Sequence, residues 1–199
     1  MPRIDDEQRE IILKLVYFGI ALGGKTTCMQ YVYERTDPAR KTKIETIATE
    51  ELRAYSFTFV PATLGLIDGR SVRFWLITHP GPIFNDPSRR KVLENADGII
   101  FVADSQIERS EGVVGCMEEM LGHLEAHGKS VRDVPLVIAY NKRDLPNAAP
   151  IETLERALNP WGVPHFELVA RTGQGVFDSL KACARAMMDQ ARAWSAAQR

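Results

Sequence analysis

Residues Gly19-Ile20-Ala21-Leu22-Gly23-Gly24-Lys25-Thr26 fit the pattern GxxxxGK[ST] and follow an apolar run at 11–18. A strand that breaks into a glycine-rich turn and re-enters the fold as a helix restricts the chain to a few α/β architectures. The turn must also present its amides at a helix start, where they favour an anion. Gly19, Gly23 and Gly24 let the backbone wrap a polyphosphate, Lys25 supplies a cation to the β and γ phosphates, and Thr26 supplies a hydroxyl to Mg²⁺. A helical pattern over 27–34 gives the context that separates such a loop from a glycine turn capping an ordinary helix. Nucleotide binding is the expectation.

A second motif, Asn141-Lys142-Arg143-Asp144, follows the apolar run 134–140 and therefore falls at a strand end. Asp144 can accept from both N1–H and the 2-amino group of guanine, whereas adenine offers a lone pair at N1 and no 2-amino donor. A buried carboxylate facing a lone pair is costly, so the motif selects guanine. Asn141 is placed to contact the base edge and the phosphate loop, and the Lys142 stem to cover the ring face.

The remaining pattern is largely alternating. Strands are predicted at 11–18, 55–60, 71–78, 98–103, 134–140 and 165–170, with helices near 25–35, 88–95, 112–127, 151–158 and 176–194. This order predicts an α/β fold with a mostly parallel six-stranded sheet, helices on both faces and ligands at the carboxyl ends of the strands. An Asp68-Gly69 turn between two neighbouring strands predicts one antiparallel pair. Segments 36–54 and 79–87 read as long loops, which are commonly functional. With 199 residues and 45% hydrophobic content, the chain can bury one full core, and a single domain over 1–199 is expected. Its net charge of −1 argues against a nucleic-acid binder driven by bulk charge. No integral membrane segment, signal peptide or prenylation box is read, so a cytoplasmic protein is expected. Cys28, Cys116 and Cys183 form no CxxC pair and read as buried thiols in a reducing compartment.

Several longer runs extend both motifs. They are Leu15-Val16-Tyr17, Gly24-Lys25-Thr26-Thr27, Thr49-Glu50 with Arg53, Thr78 with Pro80-Gly81, and Val102-Ala103-Asp104-Ser105-Gln106-Ile107-Glu108-Arg109. Tyr140 through Ala148, and Thr172-Gly173 before Gly175-Val176-Phe177-Asp178, complete the set. On these residues the chain resembles the Ras-like small GTPases of the MglA type, the bacterial polarity and gliding-motility group. That resemblance implies the P-loop small-GTPase fold, GTP/GDP and Mg²⁺ as ligands, and switch loops at 36–54 and 79–90. It implies a roadblock-fold MglB-like activator and polarity or motility effectors as partners, docking through the two switches. Thr27, Thr78, Gly81, Ala170 and Arg171 fall at family nucleotide-contacting positions, Thr78 standing where most small GTPases carry aspartate. Arg53 matches an arginine that acts in cis on the transition state.

Three departures bear on hydrolysis. Pro82 stands where the family has its water-orienting glutamine and has neither a carboxamide nor an N–H. Ala54 replaces the threonine that coordinates Mg²⁺ in the triphosphate state, leaving Thr49 or Thr58 as substitutes. Ala21 replaces a phosphate-loop glycine and adds a methyl beside the γ-phosphate. Together they predict a guanine-nucleotide binder with weak or lost intrinsic hydrolysis. The alternatives are an active GTPase switch stimulated by an activator, a nucleotide-insensitive interaction scaffold and, more distantly, an ATP-using kinase. His123 and His127 have a metal-compatible spacing but no third ligand in the sequence, and Asp104 reads as a loop or cap carboxylate.

Overall fold

The structure, a computed structural model, describes residues 2–49, 53–63, 65–79 and 87–197, with Arg53 described in its backbone only. Strands β1 (Arg3–Asp5), β2 (Glu10–Gly19), β3 (Glu45–Ala48), β4 (Arg53–Phe59), β5 (Ser71–Thr78), β6 (Gly98–Asp104), β7 (Leu136–Asn141) and β8 (His165–Glu167) form one sheet. Its order is β3-β4-β5-β2-β6-β7-β8, with β1 attached to β2. The helices are α1 (Lys25–Arg35), α2 (Pro87–Leu93), α3 (Ser110–Ala126), α4 (Ile151–Leu158) and α5 (Val176–Ala196). Short three-ten turns occupy Pro38–Arg40 and Ile107–Arg109.

Strand β2 runs parallel to β5 on one side and to β6 on the other, and β6, β7 and β8 continue in parallel. Such strands are covered on both faces, so β2, β6 and β7 are nearly continuous apolar runs. Alternation sorts them into two layers. Leu13, Leu15, Tyr17, Ile100 and Val102 pack with α1 and α5, while Val16, Phe18, Ile99, Phe101 and Ala103 pack with α2, α3 and α4. Helix α5 shows the matching period, with Leu180, Cys183, Ala184, Met187, Met188 and Ala191 all buried. Cys28, Cys116 and Cys183 are buried and free, and burial pushes the Cys28 and Cys183 thiols up to about 12.

The sheet is larger and more mixed than the expected six strands with one antiparallel pair: the described residues contribute eight strands and three antiparallel pairings. The β4–β5 pair is the expected one. Asp68 and Gly69, at φ 48° and 73°, form the predicted turn and close a bridge between Ile67 and Arg70. The additional strands are β1, which lies along Glu10–Ile12 before β6 joins β2, and β3, which falls inside the segment read as a loop at 36–54. Both are short and mostly exposed, with only Ile47 of β3 packed against the core, so neither is long enough to show an apolar alternation in its sequence.

The Tyr17 hydroxyl is buried in the α1–α5 layer with no hydrogen-bond partner among the described residues, and burial raises its pKa well above the ordinary tyrosine value. An unmade buried hydrogen bond costs about 1–3 kcal/mol. Tyr17→Phe is therefore expected to raise the midpoint of urea unfolding without changing its slope. A fall in that midpoint would mean that the hydroxyl has a partner.

Candidate nucleotide-binding site

The parallel ladders end nearly level: Gly19 pairs with Val102, and Asp104 pairs with Asn141. This register brings the loop after β2, the loop after β7 and the segment after β8 to one edge. Two neighbouring cavities open there. The first, about 240 Å³, is lined by Ala21, Leu22, Gly24, Lys25, Thr26, Thr27 and His79. The second, about 450 Å³, shares Leu22, Gly24 and Thr27 and adds residues including Asn141, Lys142, Asp144, Ala170 and Arg171.

Gly24 precedes α1 at φ 104°, and no side chain caps that helix. Its first amides therefore remain available to an anion. A Cβ at Gly24 would meet Asn141 Nδ2 at 2.1 Å, so only glycine fits there. Gly19, at φ 143°, lies against the Val102 carbonyl. Asn141 is 2% exposed. Its Nδ2 donates to Gly23 O at 2.8 Å, and its Oδ1 accepts from Ala170 N at 2.9 Å. One side chain thus joins the first loop to the last. The Ala170 amide is committed to that bond, so Ala170 serves as wall. Leu22 and Lys142 hold left-handed backbones, at φ 61° and 66°, on the rim of the cavities.

Lys25 is 5% exposed, and its Nζ donates to Ile20 O at 2.8 Å. Burial, aided by the Arg89 guanidinium, lowers its ammonium pKa to about 8. Thr26 and Thr27 face the first cavity. Thr26 thereby offers a hydroxyl of the kind that ligates Mg²⁺ in phosphate loops of this pattern. Thr78, at the end of β5, is fully buried, and its hydroxyl donates to Tyr17 O at 3.0 Å. In the second cavity, Arg171 Nε lies 3.0 Å from Asp144 Oδ2. With the Arg171 side chain 76% exposed, this pair contributes little stability and does not lock the carboxylate.

The first-switch positions are arranged differently from expectation. Arg53 opens β4, paired with Ala48. Ala54 is fully buried in the α2–α4 layer, and Thr58, opposite Trp75, lies three rungs below the Tyr55–Thr78 pair with its hydroxyl accepting from Arg73. That is an offset of about 10 Å along the strand from the end that leads to His79 and the first cavity. Gly81 and Pro82 lie outside the described residues. His123 meets Glu119, and His127 meets the Arg90 carbonyl.

Sequence reasoning missed Arg89 and His79. Arg89, on the buried face of α2, donates to both oxygens of Glu119 at 2.7 and 2.8 Å and lies over the Phe18 ring. Its signal was a cation within the apolar stripe of Val92 and Leu93. His79, 2% exposed in the first cavity, gave no local signal.

The chain is 45% identical over 190 residues to the mutual gliding-motility protein MglA of Myxococcus xanthus, spanning 96% of this chain and 97% of that protein. It is also 34% identical over 122 residues to translation initiation factor IF-2 of Rubrobacter xylanophilus, but that match spans 57% of this chain and 16% of the factor. No protein-family model matches the chain. Among the described residues, no helix is long and apolar enough to cross a membrane.

Phosphates seated on Lys25 favour its charged form, so binding raises a pKa that stands near 8 in the free site. Below pH 8 the lysine is charged in both states and affinity is flat. Above it, binding requires proton uptake, and the dissociation constant for GDP is expected to rise by up to about tenfold per pH unit. Titration calorimetry between pH 6.5 and 9.5 checks this, and Lys25→Arg should flatten the profile.

Proposed function

Because the chain belongs to the MglA family of Ras-like small GTPases, we propose that it is a guanine-nucleotide-binding protein with weak or lost intrinsic GTP hydrolysis. The carrying observation is the Asn141 bridge, which holds a phosphate-type cavity containing Lys25 and Thr26 beside a base-type cavity containing Asp144. In this reading Lys25 and the amides at the start of α1 hold the β and γ phosphates. Asp144 reads the guanine edge, and Lys142 covers the ring. Thr26 supplies an oxygen to Mg²⁺, which when bound neutralises phosphate charge.

Weak hydrolysis rests on what stands at the reacting end. Pro82 cannot orient an attacking water, Ala21 narrows the space beside the γ-phosphate, and the Ala54 methyl belongs to the core. Arg53 is the one catalytic candidate, as a cis arginine at the head of β4. A gliding-motility or polarity role, with a roadblock-fold activator and effectors at the switches, carries over from the relative's name and the family pattern.

Single-turnover hydrolysis of radiolabelled GTP tests this reading, with and without an MglB-like activator and with Lys25→Ala as control. Bound GTP is expected to persist for hours in both conditions. Activator-driven turnover that Lys25→Ala abolishes would instead make the chain a working GTPase with rearranged catalytic groups.

Metal dependence gives a second test. Thr78 is fully buried and outside the lining of either cavity, and position 54 offers a methyl, so this reading assigns the Thr26 oxygen to Mg²⁺. Removing Mg²⁺ with EDTA is expected to speed release of fluorescent GDP by less than about tenfold, since the ion is held mainly by phosphates and water. Acceleration of a hundredfold or more would reveal a further protein ligand.

A further inference from the structure

We propose that Asp104 and Arg109 are positioning residues that tie the phosphate loop to the lysine beside the base, so that the two halves of the cleft act as one electrostatic unit. Asp104 ends β6 and its side chain is completely buried. Its Oδ2 faces Lys142 Nζ at 2.6 Å and Arg109 Nε at 3.9 Å, and its Oδ1 accepts from Gln106 N at 3.1 Å. A carboxylate removed from water in this way needs cations, and among the described residues these are the two beside it. Lys142 Nζ is further fixed by Gln106 Oε1 at 3.1 Å.

The other end of the unit reaches the phosphate loop. Arg109 Nη2 donates to Ala21 O at 2.8 Å. The described peptides are all trans, so a carbonyl held toward Arg109 turns the following Leu22 N–H away from it. Arg109 thereby sets a peptide plane in the loop that must present amides to phosphate. Its turn is itself clipped in place: Ile107 N donates to Asn147 O at 3.0 Å, and Asn147 Nδ2 to Glu108 Oε2 at 2.8 Å. The path Lys142–Asp104–Arg109–Ala21 therefore runs beside the Asn141 bridge as a second, charged connection to the phosphate loop.

This inference rests on the guanine-nucleotide reading, and the test separates the two. Dissociation constants for fluorescent GDP, and for GMP by competition, would be measured on the full chain and on Arg109→Ala, Arg109→Lys, Asp104→Asn and the double variant Asp104→Asn/Arg109→Ala. Loss of a hydrogen bond to a charged group predicts about a tenfold or greater loss of GDP affinity in Arg109→Ala. GMP, which lacks the β-phosphate, should change far less in that variant, and Arg109→Lys should recover part of the GDP loss. Asp104→Asn should weaken both ligands. The double variant should be no weaker than Asp104→Asn alone within about threefold, because both changes cut one path.

Unchanged GDP affinity in Arg109→Ala, equal losses for GDP and GMP in that variant, or multiplicative losses in the double variant would each overturn the proposal. Failure of the unaltered chain to bind GDP would overturn the underlying function instead. Should Asp104→Asn fail to fold, the variants at the partly exposed Arg109 decide the matter through the GDP-to-GMP ratio.

Discussion

The register of three parallel strands governs everything at the cleft. Strand β2 ends at Gly19 beside Val102, and β6 ends at Asp104 beside Asn141. A slip of one residue in either ladder would exchange the two faces of that strand and move a core side chain into the cleft. Two-sided burial of β2, β6 and β7 prevents this, because Leu15, Tyr17, Ile100 and Val102 must meet one helical layer while Val16, Phe18, Ile99 and Phe101 meet the other. Core packing thus fixes the positions of polar groups that take no part in it.

Those polar groups concentrate charge in a small volume. Lys25, Arg89, Arg109 and Lys142 gather around the phosphate loop and its neighbours, while Glu119 and Asp104 hold Arg89 and Lys142 from behind. The lowered pKa of Lys25 shows the electrostatic cost of burying a cation near another. A polyanion would relieve that cost, so in the proposed reading the burial of Lys25 itself favours phosphate.

The elements that carry chemistry were legible because their signals are local. The loop at 19–26 and the Asn141-Lys142-Arg143-Asp144 run sit at strand ends announced by apolar stretches, and α1 and α4 match their expected limits. Strands β1 and β3 were illegible because a short exposed strand takes its stability from its neighbour's backbone, which its own side chains do not record. The roles of Asp104 and Arg109 were hidden for another reason. Their partners lie 38 and 88 positions away in sequence, at Lys142 and Ala21. The packing of Ala54 was hidden too, since the core layer that receives its methyl is assembled from elements far away in sequence.

The contact between Gly24 and Asn141 has an evolutionary consequence. The amide nitrogen of Asn141 occupies the space that any side chain at position 24 would need. A descendant acquiring alanine at position 24 would have to displace the amide that joins the phosphate loop to the Ala170 segment, and shrinking Asn141 first would break that junction before any room was gained. Either replacement disturbs the other residue's place, so the two positions constrain each other. Two residues more than a hundred positions apart therefore behave as one heritable character.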